Sequence, residues 1–209
     1  MKNKNKPPVQ DSRSFIENAR RAQIVSCAID AIVELGYARA SLDRIAERAG
    51  ISKGVISYHF ASKDELMTQI VTEVFEAGGR FMAPRIIAGA TATMRLRSYI
   101  ESNVEFIGTQ RKPLMAVIDI ANNARQADGT PLVDAIQLGR RVTALEGMLR
   151  AGIEAGEFRK FDPQVMAFAI VRAIDGIPPA LMERPDLDLN HFAHELTDLF
   201  LSAMRKEKP

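Results

Sequence analysis

One cysteine, three histidines and no uninterrupted apolar run approaching 18 residues set the first limits on this 209-residue chain. A lone Cys27 cannot close an internal disulfide, and it falls inside a helical apolar pattern where a small core residue is the expected role. His191 and His194 stand at i, i+3 without the further ligands a metal site needs, so no metal is expected and both read as surface or interface residues. The N-terminus, MKNKNKPPVQ, lacks the apolar region of a signal peptide, which predicts a cytoplasmic protein with no membrane partner. No Ser-His-Asp order, metal box, phosphate loop or dinucleotide fingerprint occurs. No catalytic residue and no cofactor are therefore expected, and an all-helical enzyme using a pair such as Asp119 and Arg125 stands as the third function class.

What the chain does have is a balanced composition, 46% apolar and 26% charged, enough for one sizeable core and a small satellite domain. Its net charge of +2 hides a division: residues 1–63 carry 11 Lys/Arg against 6 Asp/Glu, and residues 64–209 carry 17 against 20. Basic excess gathered at one end is what a polyanion-binding module on a non-binding body requires, because phosphate neutralisation supplies most non-specific affinity for nucleic acid. Lys2, Lys4 and Lys6 contribute much of that excess and fit a solvated tail equally well.

The stretch Ser41 to Lys63, SLDRIAERAGISKGVISYHFASK, organises the reading. Leu42, Ile45, Ala46 and Ala49 fall at i, i+3, i+4 and i+7, one apolar helix face opening behind Ser41 as N-cap, with Asp43 in the first turn. Gly50 follows the last periodic residue, where a chain passes through positive φ to leave a helix, and Ile51 points back to the core. Ser52 can cap a second helix whose Ile56 and Phe60 face inward, which leaves Lys53, Gly54, Val55, Ser57, Tyr58 and His59 for a partner. Ser62 with Glu65 forms a capping box for the helix that follows. The pattern is a helix-turn-helix. Its second helix, placed in a major groove, can offer Lys53 to guanine or phosphate, Val55 to a thymine methyl and Ser57 to either; Gly54 lies between them. Ser41, Arg44 and Lys63 suit phosphate contacts that set register. Two roles stay open for Tyr58 and His59: the DNA backbone, or packing on the next helix. A preceding helix from about Asp11 or Ser14 to Leu35 should bury Val25, Ala28, Ile29 and Ile32, with Arg20 and Arg21 on its early turns.

Arg20 to Leu66 resembles the N-terminal domain of TetR-type transcriptional regulators. The resemblance is carried by Gly36-Tyr37, Ser41 with Ile45-Ala46, Ala49-Gly50-Ile51-Ser52, the run Gly54 to Phe60, and Lys63 to Leu66. The chain departs from it at Ser57, where members often carry a bulky aromatic. The resemblance implies an all-α fold: an N-terminal three-helix helix-turn-helix domain and a C-terminal helical bundle for effector binding and dimerisation. The expected divisions are a disordered basic tail at 1–13, the DNA-binding domain at 14–62, and the effector-binding and dimerisation domain at 63–209. It implies double-stranded DNA as partner in the form of a palindromic operator, a homodimer through the last two helices, and a small-molecule effector.

Beyond Lys63 the sequence predicts six further helices, nine in all. The first, opened at Ser62, should be interrupted at Gly78-Gly79 and Pro84; another should stop before Lys112-Pro113, and the apolar segment Leu114 to about Arg125 should be a buried helix. Thr130-Pro131 should start a long helix striped by Val133, Ile136, Val142 and Leu145, and Pro178-Pro179 should close the eighth. That eighth helix shows two apolar sides, Met166, Ile170, Ile174 and Ile177 against Phe168 and Val171, more than one core needs. Candidate effector-pocket residues are the apolar Phe75, Phe106, Met115, Met148, Phe168 and Ile174 and the polar Tyr99, Asn103, Asp119, Asn122 and Arg172. Each apolar member fits plain core as well. The function expected is a homodimeric repressor released from its operator by a small, largely apolar effector. A DNA-binding regulator controlled by a protein partner, or constitutive, is the alternative.

Overall fold

The computed structural model describes residues 9–132 and 135–206 of the chain, which form ten helices: α1 Val9–Leu35, α2 Leu42–Ala49, α3 Lys53–His59, α4 Lys63–Ile87, α5 Ala92–Thr109, α6 Arg111–Asn123, α7 Ala135–Glu154, α8 Pro163–Asp175, α9 Ile177–Glu183 and α10 Leu189–Met204. The fold is all-α, and a single antiparallel bridge, Arg125 with Pro131, is the only extended pairing among the described residues. Contacts divide the chain into two units, residues 1–70 with 118–132 and residues 71–117 with 133–209.

The first unit is the helix-turn-helix. Ser41 caps α2 as its pattern predicts, its Oγ accepting from the Arg44 amide at 3.3 Å. Gly50 leaves α2 at φ 64°, ψ 33°, a left-handed conformation that glycine adopts without steric cost. Ile45, Ile56, Phe60 and Leu66 are almost wholly buried with Ile24, Ala28 and Ile32 of α1. At roughly 2 kcal/mol for each large side chain removed from water, this small cluster holds α3, which at seven residues cannot stand alone. On α1 the buried face is Ile24, Val25, Ala28, Ala31 and Ile32, while Ile29 is only half-buried. The helix opens at Val9, so residues 9–13 of the expected tail are helical. Lys2, Lys4 and Lys6 lie outside the described residues.

The second unit packs α5, α7, α8 and α10 around Leu96, Ile100, Val104, Leu145, Leu149, Ile170, Ile174 and Leu196. Four expectations are corrected here. α4 runs unbroken through Gly78-Gly79 and Pro84. A Cβ on Gly78 would lie 3.3 Å from Cε1 of Phe106, so the glycine marks a close approach of two helices, at a cost of about 1 kcal/mol against alanine. α8 ends at Asp175, ahead of Pro178-Pro179, but these prolines open a further helix beyond the nine expected: they sit in the first turn of α9, where a missing N–H leaves no hydrogen bond unmade. Thr130-Pro131 begin no helix, because Thr130 Oγ1 and its amide both turn to Asp128 Oδ1 (2.6 and 2.9 Å) and the chain runs on as the bridge to Arg125. α6 is buried on one side only, at Ala116, Val117 and Ile120, with Asn122 and Asn123 exposed. The side chains of Val133 and Ile136 fall outside the description.

Candidate nucleic-acid interface

On α3 a single turn separates what is held from what is offered. Ile56 and Phe60 are buried at 0% and 1% exposure, whereas Lys53, Gly54, Ser57 and Tyr58 face solvent and Val55 and His59 are half-buried. Tyr58 is 73% exposed and meets only the edge of the His59 ring, centroids 5.0 Å apart. Its ring is therefore not buried against α4. Lys53 Nζ donates to Asp43 Oδ2 at 2.8 Å across an exposed pair, a contact weak enough to yield to a phosphate or a guanine edge. Gly54 meets nothing closer than Ser52 Oγ at 3.7 Å from a built Cβ, so the chain itself does not demand glycine there. Arg44 is exposed beside Ser41 at the start of α2.

The α3 backbone is anchored by residues that local patterns do not single out. Arg21 on α1 donates through Nη1 to the carbonyl of His59, its guanidinium carbon stands 4.2 Å over the Phe60 ring, and Nη2 lies 3.4 Å from Gln69 Oε1. Gln23 donates to the carbonyl of Ala49 at 3.1 Å and so satisfies the end of α2. Only the repeat of polar residues on an otherwise core-facing helix hints at these roles. Arg20, by contrast, reaches only Gln23 Oε1 at 2.7 Å on the surface.

Lys63 is not free at the start of α4. Its Nζ donates to the Tyr37 carbonyl at 2.7 Å and lies 4.0 Å from the Tyr37 ring centroid. Burial pushes its pKa down, and the charges of Asp64 and Asp119 pull it back up. Glu65 Oε2 accepts from the Ala61 amide and Ser62 Oγ from the Glu65 amide, a capping box shifted by one residue. Cys27 is half-buried, and burial and then Asp30 push its thiol pKa up, which disfavours the reactive thiolate.

The expected effector residues are not brought into one lining. Ile174 is core, at 1% exposure. Phe106 packs against Phe81 and Gly78, and Asn103 is spent on the Tyr99 carbonyl at 2.7 Å. Burial raises the Tyr99 phenol, while Arg141, which hydrogen-bonds it, lowers it again. Phe168 and Arg172 face outward on α8 with the guanidinium 5.2 Å over the ring, and Val171, expected beside Phe168, is buried instead. Asp119 and Asn122 belong to the first unit. Phe75 and Met115 are half-buried, and Met148 lines a groove of about 420 Å³ with Ile86, Ile87, Ala92, Arg95, Gly147 and Ala151. Helical periodicity identifies apolar faces but not which faces share a cavity, which is why this set scatters.

Residues 24–70 match the family described as bacterial regulatory proteins, tetR family. The regulator BetI of Stenotrophomonas maltophilia is 34% identical over 94 residues, 43% of this chain and 46% of its own length. The A-factor receptor protein of Streptomyces griseus is 31% identical over 160 residues, 74% of this chain and 52% of its own. Three BetI-type relatives are matched over only 32–46% of their length. The solved FadR of Bacillus subtilis, a complex with stearoyl-CoA, shares the fold at a TM-score of 0.75 and 22% identity, covering 88% of this chain and 99% of that one. The likeness to the tetR family of bacterial regulatory proteins is thus carried by residues 24–70, and the order of helices behind them is a fold shared with the solved regulator.

Proposed function

We propose that the chain is a cytoplasmic, sequence-specific DNA-binding transcriptional regulator, a homodimeric repressor released from a palindromic operator by a small, largely apolar effector. The observation that carries the reading is α3 itself: a seven-residue helix fixed by Ile56 and Phe60 that turns Lys53, Gly54, Ser57 and Tyr58 to solvent. A face so small and polar, with no stability of its own to protect, fits a major groove. The net +5 of residues 1–63 supports the same partner. For self-association, Val165 and Phe168 on α8 and Leu199 on α10 are 65%, 49% and 64% exposed, apolar surface of the kind a second copy covers. Half-sites about one helical turn apart need such a pair.

For an effector, the support is the groove beside Met148, apolar apart from Arg95, and two relatives: one described as an A-factor receptor, one solved as a complex with stearoyl-CoA. Effector and operator would then oppose each other through one shared coupling energy. Selection of bound duplexes from a random pool, titrated at several salt concentrations, tests the first half. A two-fold symmetric site is the expected product. Lys53→Ala and Val55→Ala should alter preference among bases, each by about 1–3 kcal/mol at one position, while Lys63→Met should weaken all duplexes alike. Weak, steeply salt-dependent binding without a consensus would reduce the interface to non-specific electrostatics.

A further inference from the structure

At the end of α1 the chain turns at Gly36, φ 80°, and the Tyr37 amide then does something local patterns do not anticipate. In a common glycine-terminated helix end this N–H folds back onto the last turn. Here it donates to Asp119 Oδ2 of α6 at 2.6 Å, across 82 residues of sequence. The other oxygen, Oδ1, accepts from Asn123 Nδ2 at 2.6 Å, so the carboxylate is held in orientation from its own helix. The carbonyl of the same Tyr37 accepts from Lys63 Nζ, and its ring lies under that ammonium. One turn therefore joins three elements: α1 through Gly36, α4 through Lys63, and α6 through Asp119.

We propose that Asp119 is a positioning residue for DNA binding: its carboxylate fixes the Gly36–Tyr37 turn, which presents the Tyr37 carbonyl to the Lys63 ammonium and so sets where that charge stands at the start of α4. The inference rests on the DNA-binding reading above. The argument is one of hydrogen-bond accounting. A half-buried amide whose anionic acceptor is removed loses a charge-assisted bond and is left without a protein partner. The turn is then free to fold back on α1, carrying away the carbonyl that holds Lys63. Asp119 touches no expected DNA contact itself, so it acts on affinity and not on base preference.

The test uses the full chain and the duplex recovered from the random pool, with each dissociation constant normalised to the active fraction found by stoichiometric titration. Asp119→Ala should weaken binding about tenfold, with the ranking of point-mutated duplexes unchanged and amide exchange across residues 36–38 accelerated. Asp119→Asn, which keeps an acceptor oxygen for the Tyr37 amide, should recover most of the loss. Asp119→Ala with Lys63→Met should bind no more weakly than the weaker single variant, because both changes disable the same contact. A wild type that retains no duplex overturns the DNA-binding reading and this inference with it. Wild-type binding with unchanged Asp119→Ala affinity, or losses that multiply in the double variant, overturns the inference alone.

Discussion

Arg20 and Arg21 are adjacent, both basic and both on α1, yet the structure gives them opposite weights. Arg21→Ala removes a guanidinium that donates to the His59 carbonyl and stacks on Phe60, the two residues at which α3 ends. A hydrogen bond from a charged donor contributes about 1.5 kcal/mol at the lower end of its range, suited to a half-buried group, and a partly exposed cation–π contact about 0.5–1 kcal/mol. The loss should total about 2 kcal/mol, and in a chain of this length that lowers the unfolding temperature by roughly 4–8 °C. Arg20→Ala loses only an exposed bond to Gln23 and should stay within about 0.5 kcal/mol of wild type. Arg21→Lys tests the geometry, since an ammonium keeps the charge but not the planar fork, and should recover less than half the loss. Urea unfolding followed by circular dichroism measures all three, and duplex titration asks whether loosening the end of α3 also weakens DNA binding. Equal effects of Arg20→Ala and Arg21→Ala would refute the assignment, because the charge would then matter only as part of the basic surface.

Two predictions concern the second unit. Gly152→Ala places a Cβ 2.3 Å from Cε2 of the buried Phe158 ring and 2.8 Å from Ala92 Cβ, so overpacking of about 1–3 kcal/mol should outweigh the roughly 1 kcal/mol gained in helix propensity. Gly147→Ala on the same helix meets nothing within 4 Å and should stabilise instead; matching unfolding midpoints for the two variants would contradict the packing argument. Glu157 accepts from the amides of Thr93 and Ala92 and from Thr93 Oγ1 across the start of α5, and these bonds, the Thr93 amide foremost, hold its pKa below the ordinary 4.5. A depressed carboxylate contributes stability that is present above its unfolded pKa and lost as pH falls through the folded one. Glu157→Gln should therefore be the less stable protein at neutral pH, by under about 1 kcal/mol given its exposure, and the two stability curves should converge in acid. Curves that stay parallel down to the lowest pH would assign the loss to shape and not to charge.

The first unit was legible because its decisions are local. Ser41 caps within three residues, Gly50 needs a positive φ whatever surrounds it, and Ile56 and Phe60 lie one turn apart on a helix too short to face two ways. The partners that orient the unit are legible in kind only. That Arg21 and Asp119 are polar residues on mainly apolar helices is visible; that they meet His59 and Tyr37, 38 and 82 residues away, is a property of the packed chain.

The failures at Gly78-Gly79 and Pro178-Pro179 share a cause that says how such signals should be weighed. A helix-breaking residue carries a cost, about 1 kcal/mol for glycine and about 3 kcal/mol for proline in a helix interior, and the cost decides only where nothing larger opposes it. At Gly78 the Phe106 ring occupies the space a side chain would need, so the residue that weakens the helix is the one that lets α4 approach α5. At Pro178 the cost itself vanishes, since the first turn has no intrahelical acceptor for the missing N–H. The two pairs look alike in the sequence and differ in the structure by position along a helix, which is set by packing. The effector set scattered for the same reason: Ile174, Phe168 and Met148 are equivalent as apolar members of helical stripes, and only the packed unit makes one of them core, one outer surface and one the wall of a groove. The solvent-facing side of α3 is therefore the part of this protein that sequence physics reaches most directly, because it is defined by what a short helix leaves unburied.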